Sequence, residues 1–87
     1  MSYKHVLEES ENIYDQLSIL TQLVDKYNDE DYILIRMSIV HSNYIELRVT
    51  DLRRGLTNSS KYPYHNKGAK DAWKGLEYYH NQIINNL

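Results

Sequence analysis

At 87 residues, with 41% hydrophobic and 25% charged side chains and a formal net charge of −2, the chain is sized for one domain with a small core and is too apolar for a disordered one. The absence of cysteine excludes disulfides and thiolate metal sites. No apolar run approaches the roughly 18 residues of a membrane span, and the opening Met-Ser-Tyr-Lys-His lacks the apolar core of a signal peptide, so one cytoplasmic domain over residues 1–87 is the expectation. The net charge conceals a polar chain. Residues 1–35 carry two lysines against eight carboxylates, a formal −6, and residues 36–87 carry eight cations against four carboxylates, a formal +4. Scarce alanine, a single proline and abundant Asn, Ile and Tyr go with AT-rich coding, as in many phages and mobile elements.

In chain order, Val6, Ile13, Leu17, Leu20, Val24 and Tyr27 recur at spacings of three, four or seven, which predicts a helix over Tyr3–Tyr27. Glu8, Glu11, Asp15, Gln22 and Asp25 fall on its opposite side. Asn28 is the expected stop, because asparagine tolerates the left-handed conformation at a helix C-terminus. Asp29, Glu30 and Asp31 then make an acidic turn.

Residues 32–52, YILIRMSIVHSNYIELRVTDL, fit a helical period through Ile33, Met37, Val40, Tyr44 and Leu47, but three features favour a β-hairpin. The run is rich in β-branched and aromatic residues, Ile45–Thr50 alternates almost strictly, and His41-Ser42-Asn43 is a polar interruption of hairpin length. Pairing centred on Ser42 sets Ile39 opposite Ile45, Met37 opposite Leu47 and Ile35 opposite Val49 on the buried side. The other side pairs Val40 with Tyr44, Ser38 with Glu46, Arg36 with Arg48, Leu34 with Thr50 and Tyr32 with Leu52. After Gly55 the polar segment LTNSSKYPYHNKG holds a short third strand near Thr57–Tyr62 or crosses the surface. Tyr62, before Pro63, is extended. A last helix starts at Lys67 with Asn66 as its cap. It buries Ala69, Ala72, Trp73, Leu76, Tyr79, His80, Ile83 and Leu87, with Gly75 placed for a close backbone approach. The expected fold is α+β: helix, strand, strand, possible strand, helix, with two helices on one face of an antiparallel sheet.

That arrangement leaves one sheet face open, with Arg36 and Arg48 opposed on it. Like charges across a ladder are destabilising, so something must offset them. One reading is an Arg–Glu–Arg cluster balanced by Glu46. The other is an anion-recognising contact surface flanked by Tyr32, Leu34, Tyr44 and Leu52, since arginine forks suit carboxylate or phosphate and tyrosines anchor interfaces. A second basic surface is expected from Lys67, Lys70 and Lys74 with Arg53, Arg54 and Lys61. Cations in the first turns oppose the helix dipole unless an anion binds there.

The element order, together with Lys67-Gly68-Ala69-Lys70 at the start of the last helix, is similar in outline to the double-stranded-RNA-binding domain, and the order is also similar to that of small phage inhibitors of host nucleases. The RNA-binding domain's adjoining double lysine, alanine-rich continuation and Gly-Pro-x-His loop have no counterpart here. Its RNA contacts are therefore not carried over.

No catalytic motif emerges. His5, His41, His65 and His80 lack metal-ligand spacing, and there is no nucleophile elbow or glycine-rich phosphate loop. The spacing of Arg36 and His41 resembles one seen in helical ribonucleases, but in a strand such positions point to opposite faces. His80, inside an apolar stripe, reads as a packed, hydrogen-bonded residue. The expectation is a non-enzymatic regulator or inhibitor without cofactors, which binds a protein that itself handles nucleic acid. The alternative is direct RNA or DNA binding by the basic C-terminal half.

Overall fold

The computed structural model describes residues 12–85. The stretch of the expected first helix from Tyr3 to Glu11, and Leu87, lie outside the described residues.

Helix α1 spans Ile13–Asn28. Asn12 caps it, its side chain accepting the Tyr14 N–H at 2.8 Å, and Asp15 in the first turn and Lys26 in the last complement the helix dipole. Its buried residues are Gln16, Ile19, Leu20, Leu23 and Tyr27, whereas Ile13, Leu17 and Val24 are only partly buried. The buried stripe is thus rotated from the expected one, with a polar residue near its centre. Gln16 is tolerated there because its Oε1 accepts the Trp73 indole N–H at 2.8 Å, so neither group is left without a partner. The helix does not end in a left-handed residue. Its C-cap is Asp29 with φ −74°, and Asn28 serves the sheet instead. Its side-chain amide donates to the Ile35 carbonyl at 2.9 Å and accepts the Ile35 N–H at 2.7 Å.

Strands β1 (Ile33–Val40), β2 (Tyr44–Asp51) and β3 (Leu56–Pro63) form an antiparallel sheet in the order β1-β2-β3. The β1–β2 register is the one that alternation predicts, from Val40 opposite Tyr44 to Ile33 opposite Asp51, but toward the turn the expected burial fails: Met37 is only partly buried and Ile39 is 44% exposed. Beyond the Ile33–Asp51 pair, the Leu52 N–H donates to the Tyr32 carbonyl at 2.9 Å. His41 and Ser42 make the turn with φ of 52° and 56°, and the Asn43 N–H closes onto the Val40 carbonyl at 2.9 Å. Two successive left-handed residues suit the twist of a hairpin. The third strand is present and slightly longer than expected.

Helix α2 spans Asn66–Asn85. Asn66 lies inside it and is not the cap. Instead the Nδ1 of His65 accepts the Gly68 N–H at 3.0 Å, and the His65 carbonyl accepts from Ala69 at 2.9 Å. The close backbone approach is at Gly68, where a Cβ would overlap the Pro63 carbonyl oxygen; at Gly75 the neighbour is a side chain, the Tyr62 hydroxyl, 2.7 Å from a Cβ position. Helix α1 packs on β1 and helix α2 on β2 and β3, and the two helices pack on each other. Ile33, Ile35, Ile45, Leu47 and Val49 meet Leu20, Trp73 and Leu76 between the layers. Overall dimensions of 36 × 35 × 17 Å fit one helical layer on one sheet. Among the described residues, no helix is long and apolar enough to cross a membrane.

Candidate functional site

The registers fix the composition of the face that the helices leave open. Four rows run across it: Leu34–Thr50–Thr57, Arg36–Arg48–Ser59, Ser38–Glu46–Lys61 and Val40–Tyr44–Pro63. Arg36, Arg48, Ser59 and Lys61 are exposed. Three cations against one carboxylate give this face a formal +2.

Glu46 does not balance both arginines. It lies two residues before Arg48 on the same face, and its Oε1 accepts from the Arg48 Nε at 3.0 Å. Arg36 has no carboxylate partner among the described residues. The expected Arg–Glu–Arg cluster is therefore one ion pair and one unpaired guanidinium. Both arginines line a shallow cleft of about 200 Å³ with Leu34, Thr50 and Thr57, where the two threonine hydroxyls hydrogen-bond at 3.0 Å. At the turn end, the Lys61 ammonium lies 5.0 Å from the centre of the Tyr44 ring, within cation–π range. Lys61 joins this face through β3. Its place in the chain groups it instead with the second basic surface, because β3 is polar on both faces and gives no period from which to read its phase.

Tyr32 departs from its expected place. Its ring packs against the core and its hydroxyl hydrogen-bonds Glu30, which raises the Tyr32 pKa. The Arg53 guanidinium sits 5.4 Å from that ring. Glu30 also approaches the His80 Nε2 at 2.8 Å, and the Tyr27 ring stacks on His80 at 3.6 Å, nearly parallel at 4°. Partial burial on its own would raise the Glu30 pKa, but hydrogen bonds from Tyr32 and His80 and the charges of His80 and Lys26 outweigh it, holding the carboxyl below its ordinary value. His80 is packed and hydrogen-bonded as expected, in a clasp between the α1–β1 turn and α2.

The remaining cations lie elsewhere. Arg53 and Arg54 occupy the β2–β3 turn, where both backbone N–H groups donate to the Asp51 Oδ1 at 3.1 and 3.3 Å and the Arg54 Nε is 3.8 Å from the Asp51 Oδ2. Lys67 lies in the first turn of α2, beyond the opposite end of β3 and separated from that turn by the strand's eight residues, about 25 Å at strand rise. Lys67 and Lys74 are exposed and Lys70 is half-buried, all on the helix that covers the other side of the sheet; the Lys74 ammonium is 5.7 Å from the Trp73 ring. The open face and the lysine helix do not merge into one contact surface. Among the described residues no cluster of three or more His, Asp or Glu side chains could hold a metal.

No family model matches the chain, and no curated protein or solved structure is significantly similar to it.

Proposed function

We propose that the protein is a non-enzymatic binding domain, a small regulator or inhibitor, that docks the open face of its sheet onto an acidic surface of a protein partner. The observation that carries this reading is Arg36: an exposed guanidinium without a carboxylate partner among the described residues, facing a second arginine across the ladder. A partner carboxylate between the two would offset a repulsion that the free domain bears. Apolar neighbours favour protein over nucleic acid, since Leu34, 40% exposed, lines the cleft with both arginines and Tyr44 stands at the far end of the same face, a mixture typical of interface anchors. A nucleic-acid groove would want its cations on one side, and here they are divided. The finer choice, a partner that itself handles nucleic acid, rests on the dipolar charge, which lets a small domain complement both signs on such a protein.

The test is an affinity pull-down with the full chain and with Arg36→Glu/Arg48→Glu, each with and without nuclease. A stoichiometric protein that survives nuclease and disappears with the double variant is the expected result. Loss of every partner after nuclease, with nucleic acid recovered beforehand, would replace this reading by direct nucleic-acid binding.

A further inference from the structure

The two outer strands of the sheet differ in what their free edges meet. On β1, the main-chain N–H and C=O of Ile35 point away from β2, and the Asn28 amide takes both. On β3, the hydrogen-bonding phase sets which groups point outward. Tyr64, one residue past β3, donates to the Asn43 carbonyl at 3.2 Å in continuation of the β2–β3 register, so even-numbered residues of β3 bond to β2. Thr57, Ser59 and Lys61 therefore aim their main-chain groups outward. All three are exposed, and none of these groups meets a main-chain partner in the sheet, turns or loops among the described residues. Pro63, which has no N–H to offer, stands on the same outward phase, where proline is tolerated.

Beside this edge, between β3 and the C-terminal half of α2, runs a groove of about 370 Å³, a volume within the range that ligand sites occupy. Val49, Leu56, Tyr79 and Ile83 give it an apolar lining, and Asn58 and Gln82 add polar groups. Leu56 is 62% exposed. A strand laid along β3 would send alternate side chains toward the helical layer, next to Leu56 and Asn58 and into this groove. An open edge next to a pocket between strand and helix is the arrangement that β-strand addition uses: the main chain supplies affinity and the pocket selects the side chain.

We propose that the outer edge of β3 accepts an extended segment of a partner protein as a fourth strand, with an aliphatic side chain seated in the groove against α2. A second copy of the chain, paired in the register centred on Ser59, does not supply that side chain. With two β3 strands paired antiparallel about Ser59, the copy would place Ser60 and Tyr62 beside Asn58 and Leu56. Serine is polar, and Tyr62 is already packed over Gly75 in its own subunit. Lys61 on the edge favours acidic residues elsewhere in the added segment. This site is independent of the open-face reading.

The probe is a library of short random peptides displayed on phage and selected against the full chain, after which the best binder is synthesised. Enriched peptides should share an aliphatic residue. N-methylation of the synthetic peptide should abolish binding at every second residue and be tolerated between. Ser59→Pro removes an outward N–H that the β2 ladder does not use, so it should keep the circular dichroism spectrum and melting temperature while weakening the peptide roughly tenfold or more. Leu56→Ser should weaken it as well, and Arg36→Glu/Arg48→Glu should leave it unchanged. Failure to enrich any peptide, binding insensitive to N-methylation and to Ser59→Pro, or binding lost only in the arginine variant would each overturn the proposal.

Discussion

The two faces of the sheet are built from the same strands and do different work. On the covered face Ile33, Ile35, Ile45, Leu47 and Val49 are all nearly inaccessible. One position along, the open face carries Leu34, Arg36, Glu46, Arg48 and Lys61. A slip of one residue would exchange the two sets, so the register that creates the core also creates the charged face. Stability belongs to the covered side of the strands and, under the proposed function, recognition to the open one, so substitutions should separate them.

The largest effect belongs to the covered face. Leu47→Ala, at a side chain 3% exposed in the centre of the sheet, should cost about 2–5 kcal/mol, a large share of the roughly 5–15 kcal/mol that holds a small domain. Urea unfolding measures it, and a loss within about 0.5 kcal/mol, as for an ordinary surface position, would show that this face is not the core. Next comes Gln16→Leu, which leaves the Trp73 indole N–H without the Gln16 acceptor; about 1–3 kcal/mol should be lost. Adding Trp73→Phe should recover part of that, and a double-mutant cycle reads the coupling.

The open face should behave in the reverse sense. Arg36→Glu replaces a like-charge pair with an opposite one against Arg48, so stability should rise by about 0.2–1 kcal/mol while partner binding falls. A parallel loss of both would blur the two faces into one. The smallest effect is on pH dependence. The folded Glu30 pKa lies below its ordinary value, so its contribution to stability is present above the unfolded pKa and is lost as pH falls through the folded one. Melting temperature followed downward from pH 6 should decline less steeply in Glu30→Gln than in the parent.

Much of the fold was legible because the hairpin states its register twice, once in each strand, around a polar triplet. The illegible parts depend on partners distant in sequence. Gln16 lies outside the apolar stripe until Trp73, 57 positions later, is placed against it. Asn28 and His65 carry the right chemistry for helix ends, but the first serves a strand edge and the second caps a helix from one residue earlier than expected. Gly68 and Gly75 look alike in the chain, and only the path of Pro63 distinguishes them. For the candidate site, the sequence identified the opposed arginines but not their division of labour, because Glu46 is near both on paper and its choice of Arg48 is a matter of rotamers. It also grouped Lys67, Lys70 and Lys74 with Arg53, Arg54 and Lys61 by proximity along the chain, although Arg53 and Arg54 lie at the other end of β3 and Lys61 is on the open face of the sheet.

The Asn28 amide, which occupies the outer edge of β1 at Ile35, also bears on how far assembly can proceed. A sheet with two sticky borders is a monomer of a fibre, since each added strand exposes another border and growth has no natural end. At Ile35 one border is taken by a side chain of its own chain, so a strand approaching β1 there would have to displace the Asn28 amide before the sheet could extend on that side.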